Sequence, residues 1–176
     1  MQTMTYAYLR ALLTSSGERV PEAPRIGYKA LRGVDPTESY ARPFQAVWWR
    51  LSNGLAYKAA VVVGRERLIA IAKTDLQLSR THSARHSLSK AKVRGYRRVL
   101  NGDTCELCVQ ASKRIYSTGD LMPIHPGCNC SVEPILGADP RSLNEGIGPK
   151  PVETEVQDHG ELGPVLTKSG EHFKSE

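Results

Sequence analysis

Five side chains able to bind a soft metal fall within 26 residues, as Cys105-x2-Cys108-x16-His125-x2-Cys128-x-Cys130, and they include all 4 cysteines of the 176-residue chain. Thiolate and imidazole are the ligands a structural zinc ion takes, four at a time in a tetrahedron. A Cys-x2-Cys turn supplies two of them one ligand edge apart. His125-Pro126-Gly127-Cys128 makes a second tight turn, with Pro126 as the stiff corner and Gly127 as the permissive backbone. On a strand, Cys128 and Cys130 face the same side, so either completes the set. The expected ligands are Cys105, Cys108 and two of His125, Cys128 and Cys130. Four ligands leave no open position for a reactive water, so the ion reads as structural. It would contribute on the order of 10 kcal/mol to a segment with few apolar residues. The competing readings are two disulfides, a redox Cys-x-x-Cys, and a Cys/His nucleophile. The first suits an exported, cysteine-dense chain. The second lacks a surrounding βαβ pattern. The third leaves three further thiols unexplained.

Elsewhere, groups with chemical potential are sparse. Gly64 and Gly95 stand alone, so no phosphate-cradling loop is expected. His82 and His86 sit at i, i+4 beside Arg85 and read as surface residues. Asp75 is expected to pair with a neighbouring base, Lys73 or Arg80. No acid/base set for an enzyme is visible, and none is expected.

Charge is unevenly placed. The chain carries 24 basic and 18 acidic side chains, a net of +6. Residues 137–176 hold 4 basic and 8 acidic, so the first 136 carry a net of +10. A run of 10 basic side chains (Arg65, Arg67, Lys73, Arg80, Arg85, Lys90, Lys92, Arg94, Arg97 and Arg98) meets only Glu66 and Asp75. Such a run often is a solvated face. The reading carried forward is a surface for nucleic acid or an acidic partner. Few aromatics interleave it, which disfavours stacking on single-strand bases.

The elements that must position these groups are mainly helical. Residues 1–33 form a loosely patterned N-terminal arm, with a short helix over Thr5 to Leu13. A helical region follows over 34–94. Asp35 caps its first helix, Pro36 opens it, and Glu38 completes a capping box. Tyr40, Phe44 and Trp48 recur at i, i+4 and i+8 and are read as ordinary core rather than a partner site. Pro43 predicts a break or kink near Arg42, and Gly54 a left-handed stop. Leu55 to about Lys92 reads as one long helix with a thin stripe of Ala60, Val61, Leu68, Ala72, Leu76 and Ser79. Residues 95–136 are the zinc-binding β unit, with strands from Tyr96 to Leu100 and from Asn129 to Leu136. Residues 137–176 read as an acidic, extended or disordered tail. Leu162, Val165 and Leu166 within it would dock on a partner; the alternative is that the tail covers the basic body. The fold class is thus α+β, mainly α with a small zinc-bound β hairpin. No run suits a membrane span, and the first residues lack an export-signal pattern.

Five segments resemble one family. Ile69-Ala70-Ile71-Ala72-Lys73-Thr74-Asp75 is similar to the "IA-x-TE" helix motif of the Mu-F-like phage head morphogenesis proteins, the minor head proteins. Cys105-x2-Cys108 with Met122-Pro123-Ile124-His125-Pro126-Gly127-Cys128-Asn129-Cys130 resembles that family's closing "C-x2-C … P-x-H-P-x-C-x-C". Gly33 to Pro43, Thr81 to His86 and His159 to Leu166 look like the branch found in phages of actinobacteria. Asp75 stands where the family usually has Glu, and relatives are often longer at the N-terminus. The resemblance implies a virion component present in few copies. It would associate with the portal or major capsid protein in the capsid interior during head assembly in the host cytoplasm. Contact with packaged DNA would be through phosphates. A different class of reading is a free zinc module that binds nucleic acid in the host cell.

Overall fold

The computed structural model describes residues 2–102, 104–125, 127–128, 130–137, 150 and 152–172. Nine elements are placed among them: α1 (Gln2–Ser15), α2 (Tyr28–Arg32), α3 (Pro36–Ser52), α4 (Tyr57–Leu88), β1 (Gly95–Val99), α5 (Glu106–Ser112), β2 (Ser131–Ile135), β3 (Thr154–His159) and β4 (Gly163–Lys168). The fold is α+β, with two small antiparallel two-stranded sheets.

The axis is α4. Its C-terminal half is covered on most sides. Leu9 of α1 packs there with Ala84, Leu88, Tyr96, Met122 and Val132. The N-terminal arm therefore contributes a longer helix than its sequence pattern suggests. Thr5, Leu9 and Leu13 recur every four residues and are all buried.

The N-terminal half of α4 packs on α3 as a helical hairpin. Asp35 caps α3, its carboxylate accepting from Thr37 N–H at 2.8 Å, and Pro36 occupies the first turn. Gly54, at φ +81°, ends the helix as expected. Of the break or kink expected near Arg42, the break does not occur: α3 runs through Pro43. Pro43 is buried where α3 passes Gly64 of α4. A Cβ on Gly64 would collide with the Val47 side chain and stand 3.0 Å from the Pro43 carbonyl oxygen. Close packing against a glycine thus holds a helix that proline alone would weaken.

The aromatic stripe is not core. Phe44 and Trp48 are 71% and 70% exposed, with Tyr40 and Trp49 also at the surface. The small residues Ser39 and Pro43 take the buried side instead. Helical spacing shows that the aromatics share a face, and α4 is simply on another one. The stripe on α4 divides likewise. Ala60 and Ser79 are buried, whereas Val61, Leu68 and Leu76 are exposed.

Strands β1 and β2 pair in the register Gly95↔Ile135 to Val99↔Ser131 and enclose the cysteine region. Within the tail, residues 152–172 depart from the expected extended form, while 138–149, 151 and 173–176 lie outside the described residues. β3 and β4 make a hairpin, from Thr154↔Lys168 to His159↔Gly163. Leu162 and Val165 form a core with Leu78 and Ile124, and Leu166 is equally buried. Ile124 N–H donates to the Pro164 carbonyl, and Leu166 N–H to the Ile124 carbonyl, at 3.1 and 2.7 Å. These three residues therefore dock on their own chain and are unavailable to a partner. An averaged polar composition hides them, because the hairpin borrows its core from α4 rather than building one.

Candidate metal centre

Between β1 and β2 the chain makes two turns that aim sulfur and nitrogen at one point. The first is the start of α5. Cys105 is its N-cap, and its sulfur accepts from Cys108 N–H at 3.5 Å. That cap fixes the Cys-x2-Cys pair relative to each other. The second turn closes with Cys128 N–H donating to the His125 carbonyl at 3.2 Å, with Gly127 at φ +77°. Glycine takes this left-handed conformation without strain. Pro126 and Asn129 lie outside the described residues.

The turns bring the five expected ligands together. His125 Nε2 lies 3.1 Å from Cys105 Sγ and 3.0 Å from Cys108 Sγ. Cys108 Sγ lies 3.3 Å from Cys128 Sγ. Cys105, Cys108 and His125 form one group with ligand atoms within 4.8 Å of one another, and Cys108, Cys128 and Cys130 form another. Cys108 belongs to both. All four sulfurs are free thiols, and Cys108, Val109, Cys130 and Leu100 pack as a small core. The donors are soft and borderline, the kind that select a thiophilic transition metal rather than magnesium or calcium. Cys128 is the natural anion of the cluster: hydrogen bonds from Cys108 and Cys130 hold its thiol well below the usual range against the cost of burial. The Cys108 thiol is pushed up, first by its contact with Cys128 and then by Cys130 and burial.

A cation was hidden in the basic run. Arg98 is fully buried, with Nη1 2.9 Å from Cys128 Sγ and 3.6 Å from Cys108 Sγ. Nη2 donates to the Pro123 carbonyl. Burial works against its charge, and the surrounding sulfurs outweigh that cost. Arg98 thus leaves the set expected to meet nucleic acid, because it lies inside the fold. Two more members are engaged within the chain: Arg97 pairs with Glu133 at 3.0 Å, and Arg80 donates to the Cys130 carbonyl. Arg67 is half-buried, and Arg65, Lys73, Arg85, Lys90, Lys92 and Arg94 are exposed. His82 and His86, read as surface residues, are half-buried.

A second polar centre had no local sequence signal. Asp75 pairs with neither Lys73 nor Arg80 but with Arg32 of α2, at 2.6 Å, and accepts from Tyr40 Oη at 2.6 Å. Arg32 also holds Glu161 at 2.6 Å, and Arg42 reaches Glu161 at 2.9 Å. This network ties α2, α3 and α4 to the β3–β4 turn. In this limited sense the acidic tail does cover the basic body.

No described helix is long and apolar enough to cross a membrane. The chain matches no protein-family model, no curated protein and no solved structure.

Proposed function

We propose that this chain is a structural minor head protein of a tailed phage, acting in assembly by docking on the portal or major capsid protein. The observation that carries the reading is the bare aromatic face of α3. A chain with a closed, mostly buried ligand cluster and an aromatic helix face turned to solvent is built to be held by other proteins. The motif resemblances add the phage context. Peptide counting by mass spectrometry on purified particles of the source phage tests it. A few to a few dozen copies per particle supports a head component; absence from particles at every assembly stage refutes it.

The metal in this reading is zinc, held by Cys105, Cys108, His125 and Cys128. Zinc–sulfur bonds of about 2.3 Å place tetrahedral ligands about 3.8 Å apart. The Cys105–His125, Cys108–His125 and Cys108–Cys128 separations of 3.0–3.3 Å would open slightly around the ion, and Cys128, grouped with Cys108 and Cys130, would draw in toward the other pair. Three thiolates on Zn²⁺ leave one negative charge, and Arg98 balances it from inside. Cys130 stands behind Cys128 as a hydrogen-bond partner. The ion's task is to lock α5 and the two turns between β1 and β2.

A second reading, a free zinc module binding nucleic acid in the host cell, is favoured by one feature: Lys90, Lys92 and Arg94 are exposed together beyond the end of α4. In the head these residues would meet phosphates of packaged DNA. Steep salt-dependent binding to duplex DNA with no incorporation into particles would favour the free module.

A further inference from the structure

The outward face of α4 is a second bare surface, and its spacing and charge describe a partner. Val62, Ile69 and Leu76 are 50%, 42% and 47% exposed. They recur every seven residues. At about 100° per residue the three lie within about 20° of one line, half a turn round from the buried Ala60. Val61 and Leu68, also exposed, broaden one flank. A seven-residue apolar repeat supplies one of the two inward positions in each heptad of a coiled coil, and the positions between hold Arg65, Glu66, Ala72 and Lys73. From Val62 to Leu76 it runs about 21 Å, two heptads from first to last, a length that a three-heptad partner helix of about 31 Å covers with half a heptad beyond each end.

The charges beside the seam choose the occupant. Lys58, Arg65 and Lys73 are exposed and lie within about 40° of Ile69, with Glu66 further round. A second copy of α4 is a poor fit. Antiparallel pairing about Ile69 would match Val62 with Leu76, yet it would set Arg65 against Lys73 at two places along the seam. Parallel pairing would set each cation against itself. Like charges across a seam cost affinity, and opposite charges at flanking positions select partners.

We propose that this face binds an acidic amphipathic helix of a different protein, one with an apolar residue in each heptad and Glu or Asp on both flanks. The inference goes beyond the virion reading and does not depend on it. The probe is a synthetic three-heptad helical peptide with Leu and Ile at the seam and Glu on both flanks, compared with a Lys-flanked twin. Binding to the full metal-loaded chain is followed by fluorescence anisotropy. The Glu peptide is expected to bind at least tenfold tighter, with the advantage shrinking as salt rises. Ile69→Glu should abolish binding without lowering the melting temperature, since the side chain stands at the surface. The double reversal Arg65→Glu with Lys73→Glu should turn the preference to the Lys peptide. Equal binding of both peptides, binding of neither, or insensitivity to Ile69→Glu overturns the proposal. So does a dimer of the full chain in sedimentation that Ile69→Glu dissolves, which would make a second copy the occupant.

Discussion

Replacing Arg32 with Met removes the centre of the network that joins the helices to the β3–β4 turn. The Arg32 side chain is 5% exposed, and its partners Asp75 and Glu161 are 16% and 12% exposed. Deleting one member of a buried ion pair strands the other in a poorly solvated site, at about 3–5 kcal/mol. Here each carboxylate keeps one donor: Tyr40 Oη for Asp75 and Arg42 for Glu161. The expected loss is therefore at the lower end, about 3 kcal/mol. For a chain of this size that lowers the melting temperature by roughly 6–12 °C. Urea unfolding followed by circular dichroism measures it, and the Arg32→Met/Glu161→Gln double variant isolates the pair. Losses should be non-additive, because Glu161→Gln removes the charge that Arg32→Met strands. The pH dependence supplies a second check. Burial raises the Glu161 carboxyl, but hydrogen bonds from Arg32 and Arg42 outweigh it and hold it below its usual 4.5. A depressed folded pKa contributes stability above the unfolded value and loses it as pH falls through the folded one. The wild type should therefore weaken on acidification below about pH 5, and Arg32→Met should show a shallower slope. A loss under about 1 kcal/mol, or additive single variants, would refute the reasoning.

Three further outcomes are expected. Cys108→Ser, which removes the sulfur common to both ligand groups, should abolish stoichiometric zinc by elemental analysis and melt the segment from β1 to β2; a variant keeping both zinc and melting temperature contradicts a structural metal. Arg98→Met should lower zinc affinity about 10–100-fold in chelator competition, with Arg98→Lys restoring part of it, since partners outside the ligand shell tune such sites. Gly95→Ala should cost about 1–3 kcal/mol in thermal unfolding, because its Cβ would stand 2.6 Å from the Tyr116 carbonyl oxygen and 2.9 Å from Ile115 Cγ2.

Features set by neighbours in the chain were legible in the sequence, and features set by distant contacts were not. The Asp35 cap, the Gly54 stop and the two ligand turns depend on a few consecutive residues, and each forms where its pattern stands. The spacing of Tyr40, Phe44 and Trp48 carries their common direction but not the position of α4, so their exposure could not be read. Counting charges placed Arg98 on the surface, because a count cannot see thiols closing round one arginine. Asp75 was matched with bases near it along α4, whereas its partner Arg32 lies 43 residues away. Averaging over 40 residues concealed the short apolar set Leu162, Val165 and Leu166 in an otherwise polar segment.

The bond from Arg32 to Glu161 spans 129 residues. On a translating ribosome adding about 5–20 residues per second, Arg32 is made roughly 6–26 s before its second partner exists. Leu78 and Ile124 wait as well, since Leu162 and Val165 cover them only when the last hairpin has been made. A nascent chain halted before Leu166 would keep that apolar surface open to chaperones and proteases. The hairpin thus sets the order of events: the Leu78–Ile124 surface closes only after translation has passed Leu166.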